Sequence, residues 1–345
     1  MKLMLFLVGV FLYTHFEFSS TEAEIIGKGQ MPSLSKDAAG VLHLVYGIGD
    51  SILYRSSTDA GETFSSPVLV SRIEGLATSH TRGPQIAATQ NGVLITACNS
   101  KGNIFSFLKE GASSWKPRYR VNDVDTVARE NLMALSADGN NAFAVWLDLR
   151  NGRNQIYGSR SVDGGKTWSK NIRIYASPDS TVCECCKPSV ILQGSRVYVM
   201  FRNWLGGNRD MYLIRSADLG KTFGPAQKLG RESWALNACP MDGGGIALQN
   251  GVPQTVWNRK SVIYTVKPGA KEMEIGKGRS CTIETLNDKN IFAWVDKGDI
   301  VLLKPTGEKL MLGKGQLPIL KAASRNSALC VWEDDKQIYK MLIAI

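Results

Sequence analysis

Apolar residues along this chain come in short bursts rather than in long faces. Seven bursts open repeating units, often straight after a proline: Pro32-Ser33-Leu34, Pro84-Gln85-Ile86, Leu132-Met133-Ala134-Leu135, Pro188-Ser189-Val190, the stretch after Pro240, Cys281-Thr282-Ile283 and Pro318-Ile319-Leu320. About ten residues after each opening comes a second apolar burst, such as Val41-Leu42-His43-Leu44-Val45-Tyr46 or Ala144-Val145-Trp146. Short strands at even spacing predict an all-β propeller of four-stranded blades. Seven openings predict seven blades. Ile26-Gly27-Lys28-Gly29-Gln30-Met31-Pro32 repeats Leu312-Gly313-Lys314-Gly315-Gln316-Leu317-Pro318. The last unit ends after three strands, so the segment near residue 26 is expected to supply its missing outer strand and close the ring without a free edge.

The first residues follow a different pattern. Lys2 precedes an apolar run from Leu3 to Tyr13, and Ser19-Ser20-Thr21-Glu22-Ala23 follows. This layout predicts a secretory signal peptide over residues 1–23, cut after Ala23, with an apolar first strand as the alternative. The run is short for a bilayer span, and no later segment is apolar enough to cross a membrane. The expected mature protein, residues 24–345, is then one domain, a monomer, secreted or periplasmic.

A second repeat is polar. Ser57-Thr58-Asp59-Ala60-Gly61-Glu62-Thr63-Phe64, Ser161-Val162-Asp163-Gly164-Gly165-Lys166-Thr167-Trp168 and Ser216-Ala217-Asp218-Leu219-Gly220-Lys221-Thr222-Phe223 share S-x-D-x-G-x-T-aromatic. Such a segment makes a stapled hairpin turn. The Asp accepts from turn N–H groups, the Gly takes positive φ and the aromatic packs beneath. An eroded copy lies at Leu108–Trp115 and a relic at Thr265–Gly269. These motifs resemble those of the Asp-box (BNR repeat) sialidase-like β-propeller superfamily, over essentially the whole mature length. In that family the boxes staple the blade perimeter, and ligands bind at the mouth of the central channel. Sialidases have six blades, which makes six the alternative count.

Composition excludes other classes. With 34 Gly, 21% charged and 8% aromatic residues, the chain is neither a disordered tail, a coiled coil nor a collagen. A net charge of +10 favours anionic partners. No Lys/Arg run marks a nucleic-acid site.

Family resemblance places particular residues at the mouth. Arg82-Gly83-Pro84 resembles the R-I-P element carrying the first of three substrate-carboxylate arginines. Arg202, downstream of Lys187-Pro188-Ser189-Val190, resembles the second, and Arg259 would be the third, with Arg129 nearby. A guanidinium forks onto a carboxylate or sulfate, so the expected ligand is an acidic glycan or another small anion. Asp148, Glu232 and Glu333 are the candidate carboxylates for glycosidic hydrolysis, and Tyr339 the candidate nucleophile. Lys187 stands where the sialidase pattern has the Glu that activates its Tyr.

The cysteines offer a rival centre. Seven is an odd number. Cys98 and Cys330 fall in apolar second strands and read as core thiols. Cys183, Cys185, Cys186, Cys239 and Cys281 all fall where the chain enters an innermost strand. In an exported protein they read first as disulfides, for example the 183–186 loop bonded to Cys239. They also read as a thiolate site for Cu or Zn, with Cys183, Cys185, Cys186 and Cys239 as ligands and Met241 or His80 in support, or as a redox thiol. On that reading the protein is not an enzyme. Gly243-Gly244-Gly245 would let backbone approach closely and matches no phosphate loop.

Overall fold

A computed structural model describes residues 22–111, 113–116, 119–179 and 181–345. The expected signal peptide therefore lies almost wholly outside the described residues, and the eroded turn copy near residue 112 partly so. No helix occurs among the described residues, so none is long and apolar enough to cross a membrane. The strands form seven separate four-stranded antiparallel sheets, a seven-bladed propeller. Blade 1 runs from the channel outward as Gln30–Lys36, Leu42–Ile48, Ser51–Ser57 and Val68–Arg72. The innermost strands of blades 2 to 6 are Gln85–Thr89, Met133–Asp138, Ser189–Gln193, Gly244–Gln249 and Arg279–Leu286. Blade 7 contributes Gln316–Ala322, Ser327–Asp334 and Gln337–Ala344, and its outer strand is Glu24–Lys28 from the other end of the chain. Ile25 pairs with Tyr339 and Lys28 with Gln337, so the ring closes as the repeated segment implied.

The closure repeat marks a passage from the outer strand of one blade to the inner strand of the next. Gly29 and Gly315 both hold positive φ, 151° and 149°, and a Cβ there would overlap the rings of Tyr46 and Trp332. Glycine is required for that close approach. A third copy, Ile275-Gly276-Lys277-Gly278-Arg279-Ser280, makes the same passage at Gly278 (φ 139°), against Trp294 and the Val295 carbonyl. Past each of these glycines the inner strand carries a bulge, with Met31, Ser280 and Leu317 in left-handed conformation. Bulges re-aim side chains at strand ends, here at the channel mouth.

Each second strand is largely buried on both faces, which explains its mostly apolar run. Trp146, Trp294 and Trp332 are fully enclosed there. Apolar clusters fill the wedges between neighbouring blades, Val145 and Val199 across blades 3 and 4, Ala293 and Cys330 across blades 6 and 7. Truncating such a Trp would cost about 3–5 kcal/mol.

The three S-x-D-x-G-x-T turns join third to fourth strands and repeat one hydrogen-bond set. In the second, Ser161 Oγ donates to Asp163 Oδ1 (2.7 Å) and accepts from Gly165 N–H (2.8 Å), while Thr167 N–H and Oγ1–H donate to the Asp163 carboxylate at 2.9 and 2.5 Å. The turns at Asp59 and Asp218 do the same. Partial burial opposes ionisation of Asp59, but the hydrogen bonds from Ser57 and Thr63 prevail and hold its carboxyl down to about 2.

Candidate functional site

The opposite face, where inner strands begin and second strands end, carries the unusual chemistry. The loop of residues 181–188 enters the inner strand of blade 4 and is clamped by the backbone: Val182 N–H donates to the Asn154 carbonyl (2.9 Å) and Cys183 N–H to that of Arg202 (3.1 Å). Beside it, Gly243 lets the chain entering blade 5 pass close, since a Cβ there would collide with the Lys187 carbonyl. Backbone approach is thus what the glycine run provides.

Three sulfurs meet in this loop. The Sγ atoms of Cys183, Cys185 and Cys186 lie within 4.8 Å of one another, and all three residues are buried. Cys183 is 3.4 Å from Cys186, in hydrogen-bond contact, and 3.7 Å from Cys185. Arg209, itself buried, donates to Cys183 Sγ at 3.0 Å and stacks over Trp204. The hydrogen bond shared with Cys186, aided by the Arg209 and Arg202 charges and opposed by burial, pulls the Cys183 thiol down to about 6. Burial pushes Cys186 the other way. The two shifts run in opposite directions, favouring the thiolate at Cys183 and the thiol at Cys186. The amide oxygens of Asn154 and Asn203, flanking the same loop, are buried without a partner among the described residues.

Cys185 is disulfide-bonded to Cys239, with Cα atoms 6.2 Å apart. Cys98 and Cys330 are buried thiols, Cys98 pushed up to about 12 by burial, in keeping with core roles. Convergence of all five mouth cysteines does not occur: Cys281 packs with Ile283 and Val256, outside the sulfur cluster. His80 is likewise outside it, in electrostatic reach of Glu333, and Met241 faces solvent.

The arginines are engaged by the protein itself. Arg202, 2% exposed, donates to the carbonyls of Arg209 and Asn258 at 2.9 Å and of Asp242 at 3.3 Å. Arg259 lies between Glu232 and Glu272, each at 3.1 Å, over the Tyr264 ring. Arg82 donates to the Glu130 carbonyl (2.7 Å) and faces its carboxylate at 3.8 Å; Arg129 is exposed and donates to the Thr126 carbonyl. The carboxylates are dispersed. Asp148, fully buried at the end of a blade 3 strand, accepts from Trp146 Nε1–H and from Arg150. Glu232 is on the rim beside Arg259. Glu333, in blade 7, accepts from Met31 N–H and Gln316, and burial raises its pKa. Tyr339 is in the third strand of blade 7, stacked on Trp332 at 5.8 Å.

Lys187 differs from the arginines. It lines a channel cavity of about 270 Å³ with Thr81, Ser189, Asp242 and Ser280. Its ammonium donates to Gln85 Oε1 (2.8 Å) and forms no ion pair among the described residues. Burial pulls its pKa down to about 8. In the sequence Lys187 stood out only as a departure from the sialidase pattern, and no motif marked Arg209.

Fold and site together define a seven-bladed β-propeller with a sulfur-rich channel mouth. No model of a known protein family matches the chain, and no curated protein matches it as a relative. Solved structures do. The lectin BP39L from Burkholderia pseudomallei aligns over 92% of this chain and 96% of its own at 11% identity, TM-score 0.68. An α-L-arabinofuranosidase from Fusarium graminearum aligns over 92% and 93% at 11% identity, TM-score 0.56. At these identities the likeness is one of fold.

Proposed function

We propose that the sulfur cluster is the functional centre and that this propeller, exported after loss of its first 23 residues, binds a soft metal ion. The observation that carries the reading is the buried Cys183, Cys185 and Cys186 set, its Sγ atoms within 4.8 Å, with Arg209 beside Cys183. Thiolates select Cu(I) and Zn(II) over harder ions, and the three-thiolate set that forms once the Cys185–Cys239 bond is reduced suits Cu(I), whereas structural zinc takes four ligands. The role is binding rather than catalysis, because each glycosidase-type carboxylate is held separately by its own neighbours. Elemental analysis with thiol counting on the reduced protein tests this. About one copper per chain, lost in Cys183→Ser, supports it; no retained copper or zinc under reducing, anaerobic loading refutes it.

A second reading rests on Lys187. The stapled turns support kinship with Asp-box sialidase-like propellers, and the fold neighbours include a lectin and an arabinofuranosidase. On this reading the channel mouth recognises an acidic glycan or another small anion. Its cation is Lys187, which forms no ion pair among the described residues, rather than Arg82, Arg202, Arg259 or Arg129, whose guanidinium groups already serve the protein. A glycan array read with wild type and Lys187→Met tests it: acidic glycans retained by the first and lost by the second support it, and equal binding overturns it.

A further inference from the structure

The two ends of the Cys185–Cys239 disulfide occupy unlike surroundings. Cys185 is buried, its Sγ 3.7 Å from that of Cys183. Cys239 is exposed, in the loop entering blade 5. Thiol–disulfide exchange depends on which sulfur a nucleophile can reach. An external thiol reaches Cys239, and the sulfur it displaces is the one facing the cluster.

We propose that Cys239 is an exchange site for a small external thiol, and that attack there releases Cys185 into the cluster and completes its three-sulfur set. The inference rests on the metal reading above. In the step, the external thiolate RS⁻ forms a bond to Cys239 Sγ. The Cys185–Cys239 bond breaks, and its electron pair leaves on Cys185 Sγ. The products are a mixed disulfide RS–S–Cys239 and a Cys185 thiolate. A second RS⁻ attacking the thiol-derived sulfur of that mixed disulfide gives RS–SR and frees Cys239. The thiol is the only co-reactant. A disulfide sulfur is a poor ligand and a thiolate a strong one, so metal binding follows the exposed bond. Three free sulfurs replace the two, Cys183 and Cys186, that the disulfide form offers.

The competing internal route starts from the same geometry. Cys183 attacks Cys185, Cys239 leaves, and a Cys183–Cys185 bond removes two ligands.

The test treats the disulfide form of the full chain with glutathione, removes the excess and measures two quantities. Peptide mapping locates the adduct, and anaerobic competition against a colorimetric Cu(I) chelator gives the affinity. The account expects one glutathione on Cys239 and Cu(I) affinity raised roughly tenfold or more, within the usual span of coupled sites. Cys239→Ser should bind Cu(I) at the higher affinity without glutathione. Cys185→Ser should stay at the lower affinity throughout. The glutathione-treated wild type needs no substitution, so the result stands even if a variant folds poorly. An adduct on Cys183, Cys185 or Cys186, a native Cys183–Cys185 linkage, or equal affinity before and after treatment would overturn the proposal. Cu(I) binding in no state at all, despite an adduct on Cys239, would mark failure of the metal reading rather than of the exchange step.

Discussion

The two faces of the propeller hold charge in opposite ways. At the S-x-D-x-G-x-T turns every group that holds the carboxylate lies within four residues of it, and the staple recurs three times with the same partners. At the channel mouth the partners are distant in sequence. Arg209 reaches Cys183 across 26 residues, and Arg202 reaches Asn258 across 56. The turn aspartates are exposed or half-buried, whereas Arg202 and Cys183 are buried. The first arrangement can form before the ring closes; the Arg202 contacts to Asp242 and Asn258 exist only once blades 4 and 5 are side by side. Perturbing the mouth should therefore cost global stability or site chemistry, and perturbing a turn should cost little and locally.

The largest effect tests that contrast at once. Arg202→Met leaves three buried carbonyl acceptors without their donor, and the expected loss is about 3–5 kcal/mol in urea unfolding. A loss below about 1 kcal/mol would mean that the mouth is no more cooperative than a surface turn.

Next in size is the thiolate at Cys183. Absorbance of the thiolate in the far ultraviolet should develop with a midpoint near pH 6, and vanish in Cys183→Ser. The folded value lies below that of an ordinary thiol, so the unfolded chain binds the extra proton between the two. The linked stability is complete above the unfolded value and is lost as pH falls through about 6. A midpoint near the ordinary thiol range would remove Arg209 and Cys186 as its cause.

Arg209→Gln should keep the fold and all seven cysteines. Losing the guanidinium beside Cys183 should weaken Cu(I) binding by about 10–100-fold, the usual cost of deleting a group that supports a ligand. Unchanged affinity would detach Arg209 from the site.

Asp163→Ala cuts one staple. Solvent screening keeps the expected loss to about 1 kcal/mol, seen as faster proteolysis at that turn with the remaining blades protected. Smallest is Glu232→Gln. Its side chain is 78% exposed and Arg259 retains Glu272, so the melting temperature should not change measurably.

Legibility follows the same division between near and far partners. The stapled turns were readable because Ser161, Asp163, Gly165 and Thr167 act within one short segment. Ring closure was readable because Gly29 and Gly315 must both be glycine, leaving two copies of one string. The third copy escaped because Arg279-Ser280-Cys281 replaces the Gln-apolar-Pro ending. Proximity of Cys183, Cys185 and Cys186 follows from their adjacency, and a bond to Cys239 from adjacent blades. What no pattern revealed was the state of the arginines. The partners of Arg202 are backbone carbonyls, which every residue carries, so a cation aimed at protein reads like one aimed at a ligand. Lys187 was read only as a departure from the sialidase pattern, although its ammonium faces the channel cavity and forms no ion pair among the described residues.

The central claim, a soft-metal centre at the mouth, is tested most directly by X-ray absorption on the reduced chain loaded with one equivalent of Cu(I). The account predicts a coordination shell of sulfur alone, with fewer sulfurs and weaker binding in Cys183→Ser and no change in Cys281→Ser. A shell dominated by oxygen or nitrogen, or a spectrum unaffected by Cys183→Ser, would contradict it.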